Sequence, residues 1–427
     1  MRDGFLKVAA ATPEVRVADC AWNRAQTAEL MRQAAEQGVK VVCFPELGLT
    51  GYTCADLFLQ STLLRGAERA LEELMAETED LDLLACVGVP VRVRGKLYNC
   101  AAVFCRGELL GLVPKTNIPN YTEFYEGRWF TGGAAFGDTD FCISYAGQEG
   151  VEFSTALVFR CASFPALTVG VEICEDVWVA DTPSTRLCAG GATLILNPSA
   201  SDEIVSKAAW RRTLLSATSG RLACGYVYAD AGWGESSTDL IYAGHDLILE
   251  NGSLLAERRF GTGLTVSEID VQKLCYERRR VTTFPKAENI GWGEARFTVE
   301  ETPLTRTFPA NPFVPADRGD REARGRLIEE NARLIWSVVR RNTGRGVEAE
   351  DLFQLGCIGF LKAIDGFCPD YGTCFSTYAV PKIAGEMRRF LRDDGAVKVS
   401  RGLREQACRV HVLRQQLAQS LGREPTV

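Results

Sequence analysis

The sequence predicts an α/β layered fold at the N-terminal side, followed by a small all-α helical domain. Three observations carry this. Strand-like and helix-like segments alternate up to about residue 300, the pattern of a mixed layered sheet. Beyond Asn311 the strand signal ends and apolar residues recur at helical spacing. The 427 residues are also too many for one ordinary domain. These place one domain at residues 1–305, a linker at 306–322 and a helical domain at 323–427. Charge divides the same way: from Asn311 onward 19 basic residues face 15 acidic ones (+4), leaving −11 on the rest of a chain of net charge −7.

Taken in order, LKVAAATPEV reads as a strand, and Asn23 to Glu36 as a helix opened by an Asn cap and stopped at Gly38. VKVVCFPE is the next strand, Asp56 to Glu77 a longer helix and LLACVGVPV a third strand. LYNCAAVFC and ELLGLVPK, split by Arg106-Gly107, form a hairpin. ALTVGVEIC and ATLILNPS are strands, Ser206 to Ser219 a helix, and ACGYVYAD a further strand. In LIYAGHDLILENGSLLAER the Asn251-Gly252 pair marks a second hairpin.

Three strands end on a reactive side chain: VVCFPE on Glu46, LLGLVPK on Lys115 and GVEIC on Cys174. If all three share one sheet and one edge, a carboxylate, an ammonium and a thiol converge, as nucleophilic attack on an amide requires. Singly, each also fits a bland role: a turn carboxylate, a solvated lysine, a small core residue. Glu172, Glu175 and Asp176 flank the thiol and oppose its ionisation unless they point away. The 16 cysteines include no C-x-x-C and the histidines are only His245 and His411, so neither a metal site nor a disulfide framework is expected. His245 lies in a strand pattern and reads as a satisfied core histidine. No apolar run is long enough for a membrane helix and no signal peptide is evident, so a cytoplasmic protein without a membrane partner is expected.

FPELGLTGYTCADLF, PKTNIPNYTEFYEGRWF and GVEICEDVW closely resemble the three signature segments of the nitrilase (carbon-nitrogen hydrolase) superfamily. More narrowly, the likeness from about Gly4 to about Pro315 is to the glutaminase domain of bacterial glutamine-dependent NAD synthetase. That resemblance implies a nitrilase-type αββα sandwich, able to pair across subunits in a homo-oligomer. It implies Glu46 as general base, Lys115 as stabiliser of the tetrahedral intermediate and Cys174 as nucleophile on the side-chain amide of L-glutamine. Glu126 would orient the lysine and the substrate, and the Glu175 N–H would join Lys115 in the oxyanion site. Tyr52, Tyr121, Ser201 and Lys207 match substrate contacts, Lys207 standing where some members carry arginine. ATP and Mg2+ would belong to the synthetase domain of such proteins, whose SGG-x-DS loop does not occur after Pro315; no cofactor is expected in this chain.

In that place, RGRLIEENARLIWSVVRRN, DLFQLGCIGFLKAIDGF and FSTYAVPKIAGEMRRFLRD read as helices. From Lys382 to the end ten basic residues meet five acidic ones, with Phe375, Tyr378 and Phe390 interleaved just before and among them, a mixture suited to single-stranded nucleic acid. EDLFQLGCIGFLKAIDGF, YGTCFSTYAVPKIAGEMRRFLRD and DGAVKVSRG resemble region 2 of bacterial RNA polymerase sigma factors of the forespore sporulation type. The resemblance implies that Asp351, Leu352, Gln354, Leu355 and Ile358 meet core RNA polymerase. Phe375, Tyr378, Lys382, Arg388, Arg389, Arg392, Lys398 and Arg401 would meet promoter −10 DNA, Cys374 and Lys382 departing from the commoner residues. LGREPTV looks like the opening of region 3, so a region 4 reader of the −35 element is not expected within this sequence.

Two functional classes follow: an ammonia-releasing glutaminase separated from its synthetase, and a transcription module with an α/β passenger. The change of character between Ala316 and Arg324 is also what a chimeric or truncated gene product would show.

Overall fold

Alternating burial in the first strand, β1 (Phe5–Thr12), separates two cores: Leu6, Val8 and Ala10 enter one, Ala9 and Ala11 the other. The computed structural model describes residues 4–136, 141–237, 240–285, 293–306, 327–343, 347–367 and 375–393. The chain divides into two compact units, Met1–Arg306 and Thr307–Val427.

In the first unit, β1 leads into α1 (Cys20–Glu36), then β2 (Val41–Cys43), α2 (Ser61–Glu77) and β3 (Leu84–Val93). The Arg106-Gly107 hairpin joins β4 (Lys96–Cys105) to β5 (Glu108–Pro114), and a small ribbon, β6 (Asn120–Tyr121) and β7 (Phe124–Tyr125), follows. Next come β8 (Phe141–Tyr145), β9 (Gln148–Phe153), β10 (Leu157–Cys161), β11 (Thr168–Val171), α3 (Pro183–Ala189), β12 (Leu194–Ser199), α4 (Lys207–Arg221) and β13 (Gly225–Asp230). The unit ends with β14 (Asp246–Glu250), β15 (Ser253–Arg258), β16 (Gly263–Asp270), α5 (Val271–Arg280) and β17 (Gly293–Phe297). Asn251 and Gly252 both take positive φ, at 47° and 85°, which closes the β14–β15 hairpin as expected.

The strands form two large sheets, ordered β16-β1-β2-β3-β4-β5-β9-β8 and β15-β14-β13-β12-β11-β10-β17. Their facing surfaces share a core in which Val8, Val41, Cys86 and Val103 meet Phe159, Val171, Leu196 and Val227. Against the outer face of the first sheet, Ala28, Met31, Leu71 and Leu74 of α1 and α2 cover Val42, Val87 and Val89. On the second, Leu187 of α3 and Leu215 of α4 cover Ile195, Tyr226 and Leu249. The layers are therefore αββα. The parallel strands β1–β2–β3 and β11–β12–β13 are covered on both faces, which is why they read as unbroken apolar runs.

Three expectations are corrected. The strands bearing the reactive residues do not share one sheet: β2 and β5 lie in the first and β11 in the second. The first helix is capped by Asp19, whose side chain accepts from Trp22 N, because Asn23 is engaged in bonds to the N–H and carbonyl of Arg16. The second begins at Ser61 after a separate 3₁₀ turn at Ala55–Leu59.

The second unit holds α6 (Ala332–Val339), α7 (Ala349–Gly366) and α8 (Phe375–Asp393), which bury Ile335, Val338, Leu352, Phe360, Ile383 and Met387 together. Helices α7 and α8 pack closely at Gly359, where a Cβ would sit 2.7 Å from the Ile383 Cα. Trp336 stacks on Phe353 at 4.8 Å.

Candidate active site

The reactive ends converge where the two sheets face each other. Lys115, directly after β5, is buried with its Nζ 2.6 Å from Glu46 Oε1 and 2.7 Å from Glu126 Oε1. Burial alone would favour the neutral amine, yet Glu126 and Glu46 drive the Lys115 ammonium well above the ordinary lysine range. Asn99 of β4 also donates to Glu46 Oε1, at 2.6 Å, while the Ala200 N–H donates to Oε2 at 3.0 Å. The general-base candidate is thus held by its own sheet and by the end of β12 in the other. Directly beneath it, Gly88 leaves no room: a Cβ there would lie 2.1 Å from Leu47 N and 2.6 Å from Pro45 O.

Cys174 opens a short 3₁₀ turn just beyond β11, with φ at 43°, a strained value for a non-glycine residue. Its N–H donates to Asn197 Oδ1 at 3.0 Å; Asn197 donates to the Tyr226 hydroxyl, which donates to Glu172 Oε1 at 2.6 Å. Glu172 is occupied there and by the Ser184 N–H, and burial pushes it up to about 7. Asp176 accepts from the N–H groups of Ile173, Thr116 and Asn117. Both acidic neighbours are therefore spent on backbone and scaffold, away from the sulfur. Burial, followed by the Glu46 carboxylate, pushes the Cys174 thiol well above its ordinary range, against Lys115.

Cys174 lines a cavity of about 400 Å³ with Tyr121, Glu175, Trp178, Ser201, Lys207 and Trp210. Tyr121 donates to Glu175 Oε1 at 2.8 Å, and Lys207 pairs with Asp202. Tyr52 is placed differently: it donates to Glu126 Oε1 at 2.7 Å and lines a second cavity, of about 180 Å³, with Glu126 and Trp129. Phe124 and Glu123 border both. Sequence reasoning missed Asn99 and Asn197. Each is a fully buried amide in an otherwise apolar strand, LYNCAAVFC and LILNPS, and that contrast was the available signal. His245 is buried and bonded on both ring nitrogens. Among the described residues no group of three or more His, Cys, Asp and Glu is arranged to hold a metal ion, and no helix is long and apolar enough to cross a membrane.

In the helical unit, Asp351, Gln354 and Ile358 are exposed on α7 and Leu355 is half-buried. Leu352, expected on that surface, is 0 % exposed: it falls on the inward stripe of the helix and packs the bundle core. Phe375 is half-buried, edge-on to Phe360 and Phe367, and Tyr378 packs on Phe367. Lys382, Arg388 and Arg389 are exposed along α8. Arg392 belongs to the same helix but its side chain, like Cys374, Lys398 and Arg401, lies outside the described residues.

Residues 327–397 match sigma-70 region 2. The RNA polymerase sigma-F factor of Bacillus subtilis (strain 168) is 54 % identical over 112 residues, which cover 26 % of this chain and 44 % of that protein. The glutamine-dependent NAD(+) synthetase of Mycobacterium tuberculosis (strain H37Rv) is 38 % identical over 327 residues, 74 % of this chain and 48 % of that protein. The crystal structure of a glutamine-dependent NAD(+) synthetase from Cytophaga hutchinsonii superposes with a TM-score of 0.55 at 28 % identity, covering 66 % of this chain and 46 % of that one. The chain thus spans about half the length of the synthetases it matches. Residues 7–279, more than half of the sequence, match the carbon-nitrogen hydrolase family, and the chain belongs to that family.

Proposed function

We propose that the N-terminal unit hydrolyses the side-chain amide of L-glutamine, the ammonia-releasing half-reaction of a glutamine-dependent NAD synthetase. The observation that carries this reading is the Lys115 ammonium bound to Glu46 and Glu126, beside a cavity that ends on Cys174. Because burial and Glu46 keep Cys174 a thiol at rest, attack is general-base assisted. Glu46 takes the proton as sulfur bonds to the amide carbon, and Lys115, with the Glu175 N–H, holds the oxyanion. The intermediate collapses, the C–N bond breaks, and Glu46 returns the proton to the departing ammonia. Water, deprotonated by the same carboxylate, then cleaves the thioester to glutamate and free thiol. Glu126 Oε2, buried and without a partner among the described residues, is an acceptor for a substrate N–H. Tyr121, Glu175, Ser201 and Lys207 would meet the amino-acid end, with Lys207 as a point charge for its carboxylate. Tyr52 acts through Glu126, with which it lines the second cavity. In this reading the step needing ATP and Mg2+ would lie outside this unit. Ammonia release by purified full chain, with Cys174→Ala as control, tests the reading: equal release by both sinks it. Sedimentation of the same sample reports whether this unit forms a homo-oligomer.

We infer a second role for the helical unit, binding core RNA polymerase and −10 promoter DNA, supported by the sigma-70 region 2 match and by the exposed Lys382, Arg388 and Arg389. Asp351, Gln354, Leu355 and Ile358 form the polymerase face in this reading. Pull-down with core polymerase and gel shifts on −10 oligonucleotides should both succeed; failure of both removes it.

A further inference from the structure

One wall of the Cys174 cavity is held from behind by a buried cation and a histidine that themselves line neither cavity. Arg211 of α4 is 0 % exposed, and its guanidinium reaches four residues on two segments. Its Nη2 donates to Ser201 Oγ at 3.0 Å and to the Asp202 carbonyl at 3.1 Å. Its Nη1 lies 3.2 Å from Glu203 Oε2 and 2.7 Å from His245 Nδ1. Ser201 lines the cavity, and Asp202 fixes Lys207, which lines it too. The backbone here is independently pinned: Ser201 N donates to Asp230 Oδ1 at 2.8 Å and Glu203 N to the Ile241 carbonyl at 2.6 Å. What Arg211 sets is therefore the aim of the Ser201 hydroxyl.

The ring of His245 is equally determined. A guanidinium only donates, so Nδ1 must be the acceptor. In the neutral ring the proton then sits on Nε2, which donates to Glu257 Oε1 at 2.6 Å. Glu257 is fixed in turn from the surface by Arg212, through Nε at 3.1 Å and Nη2 at 2.6 Å. The array runs Arg212, Glu257, His245, Arg211, Ser201 and Asp202, and each member has the donor or acceptor that the next requires.

We propose that His245 is a positioning residue for substrate binding: by accepting from Arg211 it aims the guanidinium that sets the Ser201 hydroxyl on the wall of the Cys174 cavity. This rests on the reading that the cavity takes glutamine, whose charged amino-acid end would meet that wall. Loss of His245 then weakens binding of that end while leaving Glu46, Lys115 and Cys174 in place.

The test uses full-length chain and steady-state ammonia release from L-glutamine. His245→Leu removes both ring contacts and is expected to raise KM about tenfold, with kcat within about twofold. His245→Asn places an amide oxygen where Nδ1 stands and should keep KM within about threefold of wild type. His245→Gln reaches only toward the Nε2 position and should behave as His245→Leu does. If the leucine variant does not fold, the order of the asparagine and glutamine variants decides. Unchanged KM in His245→Leu, equal fall of kcat and kcat/KM, or a glutamine variant better than the asparagine one overturns this inference alone. A wild-type chain no better than Cys174→Ala overturns the glutaminase reading and this inference with it.

Discussion

Replacing Lys115 by methionine probes the centre of the site most directly. The side chain keeps its volume and loses its charge, leaving Glu46 and Glu126 facing each other where Nζ stood 2.6 and 2.7 Å from their Oε1 atoms. Both carboxylates are buried, at 1 and 2 % exposure, so solvent cannot replace the ammonium. Stripping a buried pair of its partner costs about 3–5 kcal/mol. At roughly 2 °C per kcal/mol for a unit of this size, the melting temperature of the N-terminal unit should fall by about 6–10 °C. The deficit should depend on pH with a definite sign. Without the cation the Glu126 carboxyl, which burial already raises, loses the neighbour that opposes that rise, so the folded variant retains a proton that the unfolded chain releases, and its stability drops as pH rises. Calorimetry at pH 5 and pH 8 should therefore show the larger deficit at pH 8. Adding Glu126→Gln removes one of the two facing charges and should recover part of the stability. Ammonia release should stay about 10²–10³-fold down in both variants, because no cation remains for the oxyanion. A Lys115→Met protein that melts within about 1 °C of wild type at pH 8, or whose deficit is the same at both pH values, refutes the argument.

Gly88→Ala should fold yet lose about 10²-fold in kcat, since its Cβ would strike Leu47 N and Pro45 O and push Glu46 off its address; full activity would show that the turn yields freely. Asn99→Leu removes a charge-assisted bond to Glu46 Oε1 and should lower kcat about tenfold with KM unchanged, because Asn99 does not line the Cys174 cavity; a KM effect without a kcat effect would contradict it. Glu172, pushed up to about 7 by burial from an ordinary 4.5, holds a proton in the folded state that the unfolded chain releases. Its contribution is therefore present below about pH 4.5 and lost as pH rises through about 7, worth about 3 kcal/mol in all. Glu172→Gln should flatten the melting-temperature profile across that window, and an unchanged slope would point to other groups.

How much of this was legible depends on the residue. Glu46, Lys115 and Cys174 each follow a short apolar strand, and a chemically reactive residue at such an end stands out. That they meet across two sheets did not show, because the alternation of buried positions says which face a side chain takes and not which sheet its strand joins. The two hairpins were readable from Arg106-Gly107 and Asn251-Gly252, each of which places a glycine where the turn takes positive φ. The first cap was not: Asp19 and Asn23 are both good cap residues, and only the tertiary bonds of Asn23 to Arg16 decide between them. Tyr52 resembled a substrate contact, and its hydroxyl is bonded to Glu126 in a second cavity that shares Glu123 and Phe124 with the one lined by Cys174, a division the sequence did not show. Leu352 had the wrong neighbours to be read alone: its spacing with Phe360 and Ala363 puts it on the inward stripe of α7.

The crowding around Glu46 has a kinetic consequence. A carboxylate offers about four acceptor positions. Lys115 and Asn99 fill those of Oε1, and the Ala200 N–H takes one on Oε2. One seat remains. In the proposed reaction the thiol proton, the departing ammonia and the incoming water must use it in turn, so water cannot be activated until ammonia has left. Any small amine that reaches the seat first intercepts the acyl group: hydroxylamine added during turnover should divert glutamate to the γ-hydroxamate, in proportion to its concentration against water.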